Sequence, residues 1–237
     1  MDNDNIKKDN QNQNQQIINV NHWFTSDLHL GHSNITKYCP DRYIFLNEQE
    51  RDSIIKANKI EDPDKKREEL RKISISQESM DKHNNSIIDN INSLVRKGDV
   101  LWILGDFCWG NWKNGMDKAT KEYRDKIMVD DVRLVRGNHD PEEVLSIFTK
   151  TYDIVYVKLA GQGIMMCHYP MVSWKNREHY SWHIYGHCHS RNETWRETHM
   201  SNALACDVGV DCWDFKPVSF DQLKQKMELI KKNLSYI

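Results

Sequence analysis

The segment FTSDLHLGHSN, residues 24–34, contains several side chains that can bind a metal ion. Asp27 and His29 lie two positions apart just after a short apolar run, and His187 and His189 repeat this spacing in GHCH. On an extended backbone, side chains two positions apart point to the same face of the strand. We therefore predict that each pair sits at a strand end and directs both of its side chains to one point.

Three more apolar runs end in residues of the same kind. Asp106 ends DVLWILGD, Asn138 and His139 follow VRLVRG, and His168 follows GIMMC. Open α/β sheets build their sites at the carboxyl ends of strands, so these side chains are expected to converge on one polar centre. A single histidine of this kind would more often be a core or surface residue, but five strand ends with the same feature indicate a common site.

The donor types restrict the chemistry of this centre. Carboxylate, amide and imidazole groups without thiolates suit Mn, Fe, Zn, Ni or Co, and they disfavour a structural zinc site rich in cysteine. About eight donors are too many for one ion, whereas two ions about 3.5–4 Å apart can share a bridging carboxylate and a hydroxide. Such a pair stabilises both the attacking and the leaving oxygen of an in-line displacement at phosphorus. The residues therefore predict phosphoester hydrolysis with two divalent transition-metal ions.

The elements that must position these residues can also be predicted. Five short apolar runs indicate buried strands: VNHWFTSD, DVLWILGD, VRLVRGNHD, GIMMCHYP and WHIYGHCHS. Two amphipathic helices are indicated by apolar residues on one face, namely Met80, Ile87, Ile88, Ile91, Leu94 and Val95, and Phe220, Leu223, Met227, Leu229 and Ile230. Strands that alternate with helices are typical of an α/β fold, and a hairpin around Gly161-Gln162-Gly163 predicts mixed sheets.

The length of 237 residues suits one folded domain. We predict that this domain spans residues 19–237 and follows a disordered polar tail, residues 1–18, which is rich in Asn, Gln, Lys and Asp. A charged stretch at about 47–75 predicts a helical insertion. A solvated excursion is the favoured interpretation of this stretch, and a specific binding surface is the alternative.

The composition narrows the partners and the compartment. Lys and Arg number 33 against 35 Asp and Glu, so no global basic field draws the chain to nucleic acid or anionic lipid. The six cysteines lack a C-x-x-C pair and the spacing of a disulfide framework, which favours reduced thiols in a cytoplasm. A polar N-terminus and the lack of a long apolar run predict no membrane association.

The motifs DLH, GD, GNHD, CHYP and GHCH occur in the order and approximate intervals of the calcineurin-like metallophosphoesterase superfamily, which the chain resembles from about residue 20 to 215. DLHLGHSNI and VGVDCWDFKPVSFDQL are similar to a small bacterial and phage branch of phosphoesterases. The resemblance implies a four-layer αββα sandwich of two mixed β-sheets flanked by helices. It also implies one metal held by Asp27, His29, Asp106 and His189, and a second held by Asp106, Asn138, His168 and His187.

By the same resemblance, His139 is not a ligand but the histidine that reaches the scissile phosphate. The implied activity is a dinuclear-metal-dependent phosphoesterase in which a metal-bridging hydroxide attacks phosphorus, with Mn as the first choice of metal. Aromatic residues near the site and the lack of a VDRG motif favour a small phosphodiester, a nucleotide or a nucleic-acid end as substrate. The alternatives are a phosphomonoesterase, a catalytically weak protein-interaction scaffold, and a nuclease that works with a partner.

Several nearby residues have two interpretations each. His32 and Asn34 follow the first ligand pair and are predicted to contact substrate or to shape the loop. Arg136 precedes the GNHD motif, where it could bind phosphate or pair with a carboxylate. Asp140 starts DPEE, which favours a helix N-cap over a role in the site.

Two aromatic or basic segments remain. Trp174 is predicted as a base-stacking residue, whereas Trp182 fits a strand core better. Residues 38–45, YCPDRYIF, either fold over the site and supply Arg42 or Tyr43 to a substrate, or pack against the domain.

Overall fold

The computed structural model describes residues 20–109, 115–191 and 203–234 of the chain. The predicted polar tail, residues 1–18, lies outside the described residues. The strands are β1 (His22–Thr25), β2 (Val100–Ile103), β3 (Asp131–Val135), β4 (Lys150–Tyr152), β5 (Ile154–Leu159), β6 (Gln162–Cys167), β7 (Trp182–Tyr185), β8 (Ala205–Asp207) and β9 (Val218–Ser219). The helices are α1 (Ile35–Tyr38), α2 (Glu48–Asn58), α3 (Pro63–Lys72), α4 (Gln77–Leu94), α5 (Met116–Asp125) and α6 (Phe220–Leu234).

The strands form two mixed sheets. The first has the order β4-β3-β2-β1-β9, in which β9 alone is antiparallel to its neighbour. The second has the order β5-β6-β7-β8, with an antiparallel β5-β6 hairpin and parallel pairs after it. All five predicted strands are present, and the predicted α/β fold with two mixed sheets and flanking helices is confirmed.

Apolar side chains of the two sheets meet between them and form the central core. Alternation along β2 sends Trp102 toward the second sheet, while Leu101 and Ile103 pack under helix α4. The inter-sheet core contains Phe24, Leu104 and Val135 from the first sheet, Ile164, Met166, Ile184 and Cys206 from the second, and Leu223 and Met227 from α6. These layers hold the carboxyl ends of the parallel strands at one edge of the molecule.

Two details of these elements differ from the sequence-based prediction. The hairpin turns at Ala160 and Gly161, which both have positive φ as a two-residue turn requires, so its centre lies earlier than predicted. Leu94 and Leu229 were placed on apolar helix faces, but they are 39% and 59% exposed. Leu94 is the last residue of α4, and Val95, which follows it, is buried in the core.

The outer face of the second sheet is covered by the segment between β6 and β7. Trp174 in this segment is buried against that face, and its indole Nε1 donates to the carbonyl of Ser181 over 3.1 Å. The predicted base-stacking role of Trp174 is therefore wrong, because packing on the sheet takes up its ring. Trp182 is buried in β7, as predicted.

The charged stretch near residues 47–75 forms helices α2 and α3. Asn47 and Glu50 make a capping box at the start of α2, and Asp62 caps α3 ahead of a proline at its first position. A small apolar cluster of Leu46, Ile54, Ala57 and Leu70 holds the two helices together. Among the helices that the structure describes, none combines the length and the hydropathy needed to cross a membrane.

Candidate metal centre

The loops that follow β1 and β2 run side by side and carry the first ligand candidates. The backbone amide of Asp27 donates to the backbone carbonyl of Gly105 over 3.0 Å. The backbone amide of His29 donates to the backbone carbonyl of Asp106 over 2.9 Å. Asp27 and His29 have φ values of 56° and 48°, so they lie in the left-handed region and not on an extended strand. The prediction that strand alternation aligns this pair is therefore wrong, although both side chains do reach the same centre.

The GHCH loop repeats this conformation. His187 and His189 have φ values of 69° and 49°. The amide of His187 donates to the Asp27 carboxylate over 2.9 Å, which ties this loop to the one after β1. Non-glycine residues in the left-handed region are costly, and they persist at sites where surrounding contacts determine the backbone.

Two glycines allow the loops to approach so closely. Gly105 has a φ of 93°, and a Cβ atom there would collide with the imidazole of His168. A Cβ atom on Gly186 would collide with Ser26 and with the carboxylate of Asp27. The glycines that precede the ligand candidates in LGD and YGH are thus both required by space, and Gly105 is also required by its backbone conformation.

The structure brings the predicted ligands together in two groups. Asp27, His29 and His189 form one group whose donor atoms lie within 4.8 Å of one another, and Asp106, His168 and His187 form the other. The Asp106 Oδ2 atom lies 3.5 Å from Nε2 of His29 and 3.5 Å from Nε2 of His168. The seventh predicted ligand, Asn138, has its Oδ1 atom 3.1 Å from Nε2 of His168. Asp106, a member of the second group, thus also lies beside His29 of the first group. The role of these seven residues as ligands remains a prediction.

The His29 imidazole shows that this arrangement suits a cation. Its Nε2 atom is buried and has no hydrogen-bond partner, although it faces the Asp106 carboxylate. Its Nδ1 atom lies 3.1 Å from Nδ1 of His32, which holds the ring in place. A buried, unpaired imidazole nitrogen is costly unless it binds something, so a divalent ion fits this position.

Two other imidazoles are oriented in the same way. Nδ1 of His168 lies 2.7 Å from the carbonyl of Leu104, and Nδ1 of His189 lies 2.7 Å from Oδ2 of Asp211. In each ring one nitrogen is held by the protein and the other faces the centre. Metal-binding histidines in proteins usually have such a partner on the second nitrogen, because it fixes the tautomer and the ring orientation.

A buried arginine supports Asp211 in turn. Arg42 is fully buried, and its Nε and Nη2 atoms donate to the two oxygens of Asp211 over 2.7 and 2.8 Å. Nη2 also donates to the Asp27 carbonyl over 2.7 Å, and Nη1 lies 2.9 Å from Nε2 of His83. The guanidinium therefore connects Asp211, which holds His189, to the backbone of the loop after β1.

These contacts decide between the two interpretations of residues 38–45. Arg42 is not exposed to a substrate, because its hydrogen bonds all point into the domain. Tyr43 accepts a hydrogen bond from Asn58 in α2. The segment therefore packs against the domain, and the proposal that it supplies these two side chains to a substrate is wrong.

Asp140 has a different role from the predicted helix cap. Its carboxylate accepts the backbone amides of Asp106, Phe107 and Gly137 over 2.8, 3.0 and 2.9 Å. The element that follows is a 3-10 helix, Glu142–Ile147, which no side chain caps. The capping prediction is wrong because the carboxylate binds the Gly137 amide in its own loop and two amides of the loop after β2, which lie 34 and 33 positions away in sequence.

We expect Asp140→Ala to lower the free energy of unfolding by about 3 kcal/mol or more, because it leaves three backbone N–H groups without their charged acceptor. Chemical denaturation of the metal-free protein measures this change. Asp64→Ala, at a carboxylate whose side chain is 90% exposed, is the matched control and should change the free energy little. Equal stabilities of the two variants would contradict the structural role of Asp140.

Burial favours the neutral forms of the side chains in the centre, whereas hydrogen bonding favours the charged form of His189. Burial raises the pKa of Asp106 to about 7, with partial opposition from His168 and an added contribution from the charge of Asp27. Burial also lowers the pKa of His29 well below its usual value. For His189, burial favours the neutral ring, but the hydrogen bond to Asp211 outweighs it and raises the pKa to about 10. Without a metal, His189 therefore holds a proton below about pH 10 and Asp106 holds one below about pH 7. A bound ion must displace these protons.

Metal affinity should for this reason increase with pH. Between pH 7 and 10 binding must release the His189 proton, so the apparent dissociation constant should fall about tenfold per pH unit. Below pH 7 the Asp106 proton must leave as well, and the dependence should approach about a hundredfold per unit. Titration calorimetry in buffers of different ionisation enthalpy counts the released protons. Affinity that does not change with pH would contradict this assignment.

His139 lies at the rim of the centre. Its backbone amide donates to Oδ1 of Asp106 over 2.9 Å, while its half-buried ring meets the edge of Trp109 at a centroid distance of 4.8 Å. The ring lies 5.6 Å from that of His29. Burial lowers the pKa of His139, and a phosphoryl group beside the ring would favour the charged form again.

The three residues predicted to contact substrate occupy different environments. His32 stacks on Trp109 at a centroid distance of 4.4 Å and holds the His29 ring. Asn34 is exposed and precedes α1 without capping it through its side chain. Arg136 donates to the carboxylate of Glu142 over 2.9 Å, which agrees with the carboxylate alternative. A substrate contact for any of them remains a prediction.

Sequence reasoning missed three residues near the centre. Asp211 holds His189, Trp109 supports His32, and the exposed ring of Tyr169 packs against His187 at a centroid distance of 4.8 Å. Each lies within a few residues of a quoted motif, in VGVDC, FCWGN and CHYP. Their positions beside the motifs were the available signal, but only the fold shows what they touch.

Comparison with known proteins agrees with the fold. Residues 79–212 match the calcineurin-like phosphoesterase superfamily domain. This match covers more than half of the chain, and the chain therefore belongs to the calcineurin-like phosphoesterase superfamily. The matched range contains Asp106, Asn138, His168 and the GHCH loop, while Asp27 and His29 precede it.

Relatives extend the similarity over the rest of the chain. The chain is 24% identical over 206 residues to the uncharacterized protein MJ1445 of Methanocaldococcus jannaschii, over 87% of this chain and 90% of that protein. It is 25% identical over 232 residues to the gene 66 protein of Mycobacterium phage L5, over 86% and 92% respectively. The crystal structure of the Aquifex aeolicus protein AQ665, of unknown function, has the same fold, with a TM-score of 0.58 and 20% identity over 88% of this chain and 100% of that one. The phage relative agrees with the predicted bacterial and phage branch.

Proposed function

We propose that the chain is a phosphodiesterase that binds two divalent transition-metal ions, with Mn as the first choice, and hydrolyses a small diester of the nucleotide type. The observation that carries this proposal is the position of the Asp106 carboxylate, 3.5 Å from an imidazole nitrogen of each donor group. A carboxylate shared in this way is what a pair of closely spaced ions requires.

The bound ions would lower the pKa of a water molecule and offset charge on the phosphoryl oxygens. The protein contributes orientation and a proton. Asp211, His32 and the Leu104 carbonyl fix three imidazoles before any ion binds, so little reorganisation is needed. His139 stands at the rim, where its imidazolium can give a proton to the departing oxygen.

The surroundings of His139 favour a diester over a monoester. Among the described residues that line the cavity beside His139, Arg136 alone carries a guanidinium, and this group already pairs with Glu142. Little positive charge is therefore left to offset the charge of a substrate. A singly charged diester needs less compensation than a doubly charged monoester. The scaffold alternative is less well supported, because all seven donors and His139 are present and converge.

The test begins with metal-stripped protein that is supplied with Mn, Fe, Zn, Ni or Co. We expect two ions per chain by elemental analysis and metal-dependent hydrolysis of bis(p-nitrophenyl) phosphate, with slower hydrolysis of p-nitrophenyl phosphate. A faster monoester reaction would favour the phosphomonoesterase alternative. Two bound ions without hydrolysis of either compound would favour the scaffold.

We also propose a cytoplasmic location. The six cysteines are free in the structure, as a reducing compartment favours. Differential alkylation of thiols in cells that express the protein tests this proposal, and extensive oxidation would contradict it.

A further inference from the structure

A cavity of about 620 Å³ adjoins the metal centre on the side of His139. Asn138 and His139 belong to its lining, so the cavity reaches the His139 side of the site. Of the seven ligand candidates, Asn138 alone belongs to the described lining. The cavity therefore lies on the side of the centre that His139 occupies.

The geometry of displacement at phosphorus decides which part of a substrate lies there. Attacking and leaving oxygens occupy opposite sides of the phosphorus atom in an in-line reaction. The oxygen that receives a proton from His139 is the leaving oxygen. The group attached to that oxygen must then extend into the cavity that His139 lines.

The walls of the cavity indicate the chemistry of that group. Trp109 and the exposed ring of Tyr169 present aromatic surface, and Ile154, which is 54% exposed, adds an aliphatic side. Asp153 adds a carboxylate to the lining, and Arg136 adds a guanidinium that donates through Nε to Asp140 and through Nη1 to Glu142, so that Nη2 is its remaining donor group for a ligand. Aromatic surface suits a flat ring, and a donor and an acceptor nearby suit the polar edge of a heterocycle.

We infer that this cavity is a subsite for a nucleoside leaving group, an inference that rests on the proposed phosphodiesterase activity. Its volume lies within the roughly 300–1,000 Å³ of pockets that enclose small organic ligands, and a methanol-sized leaving group would leave it mostly empty. In the reaction, water adds its oxygen to phosphorus and releases one proton to solvent, and the bond from phosphorus to the nucleoside oxygen breaks. That oxygen departs with the proton from His139, which regains a proton from solvent. The products are a nucleoside and a phosphomonoester.

One substrate can offer the enzyme both kinds of leaving group. In thymidine 5′-(methyl phosphate), the alternative leaving groups are thymidine and methanol, which are both primary alcohols. We expect the metal-loaded protein to form thymidine and methyl phosphate at least about tenfold faster than thymidine 5′-phosphate and methanol. Phosphorus NMR distinguishes the two phosphomonoesters, and their ratio does not depend on the total activity.

Ile154→Trp is the variant that tests the cavity, because a larger ring at this exposed position reduces the space. We expect it to lower the product ratio toward one. Met128→Trp adds the same ring at a position that is 72% exposed and outside the cavity lining, and it should keep the wild-type ratio. Ile154→Leu should keep the ratio too, which separates lost space from a disturbed fold.

A ratio near one in the wild type, or a ratio that Ile154→Trp leaves unchanged, would overturn the subsite. Hydrolysis of bis(p-nitrophenyl) phosphate without hydrolysis of the thymidine diester would overturn the nucleoside assignment and leave the proposed activity intact. If no diester is hydrolysed with any metal, the proposed activity itself fails, and the leaving-group assignment fails with it.

Discussion

Replacement of His139 by alanine is expected to lower kcat by about 10²- to 10⁴-fold while both metal ions stay bound. The two effects separate because His139 contacts Asp106 through its backbone amide, which alanine keeps. The lost imidazole is the group at the rim that can protonate the leaving oxygen. A poor leaving group needs this proton more than a good one does, so the loss should be larger for an alkyl diester than for a p-nitrophenyl diester.

The measurement combines elemental analysis with steady-state kinetics on both kinds of diester. His179→Ala is a matched control, because His179 is exposed in the short 3-10 helix Arg177–His179 and lies outside the centre. It should change neither metal content nor kcat. Full activity of His139→Ala would show that the proton comes from another source, and loss of metal in that variant would make His139 a structural part of the centre.

Much of the fold could be predicted because the apolar runs are local signals. Each buried strand is a short apolar segment that ends in polar residues, and helix α4 carries its apolar residues on one face. The convergence of the polar ends follows from the parallel sheet order, which places neighbouring carboxyl ends at one edge. Residue types and strand ends together therefore indicate eight candidate side chains, and the family resemblance implies which seven of them are ligands.

The backbone of the ligand loops could not be predicted from spacing. A period of two is what an extended strand would show, and GHCH and DLH have that period without being extended. Their left-handed residues are stabilised by hydrogen bonds between loops that are far apart in sequence, such as His187 to Asp27 across 160 positions. Local preference opposes this conformation, and tertiary contacts override it.

Long-range partners explain the other differences. The pair of Arg42 and Asp211 joins residues 169 positions apart, and nothing near either residue indicates the other. At Asp140 the local pattern fits a helix cap as well as it fits an acceptor for loop amides, and only the fold shows which amides are close. Trp174 is near two ligand candidates in sequence but lies on the outer face of the second sheet.

Asp106→Asn is expected to remove both metal ions together, with a loss of at least about 100-fold in apparent affinity and of nearly all turnover. The amide keeps the shape of the side chain, but it removes the negative charge that lies between the two donor groups. If Oδ2 becomes the amide nitrogen, it also places a donor 3.5 Å from the imidazole nitrogens of His29 and His168. Because one carboxylate serves both groups, the two ions should be lost as a pair and not in sequence.

Elemental analysis over a range of metal concentrations tests this expectation. Asp99→Asn is the matched control, because Asp99 is also buried but accepts its hydrogen bonds from Asn21, Trp23 and Arg96 and takes no part in either donor group. It should lower stability and retain two ions per chain. If Asp106→Asn kept one ion at full affinity, the carboxylate would belong to a single group, and the two sites would have to be described as independent rather than bridged.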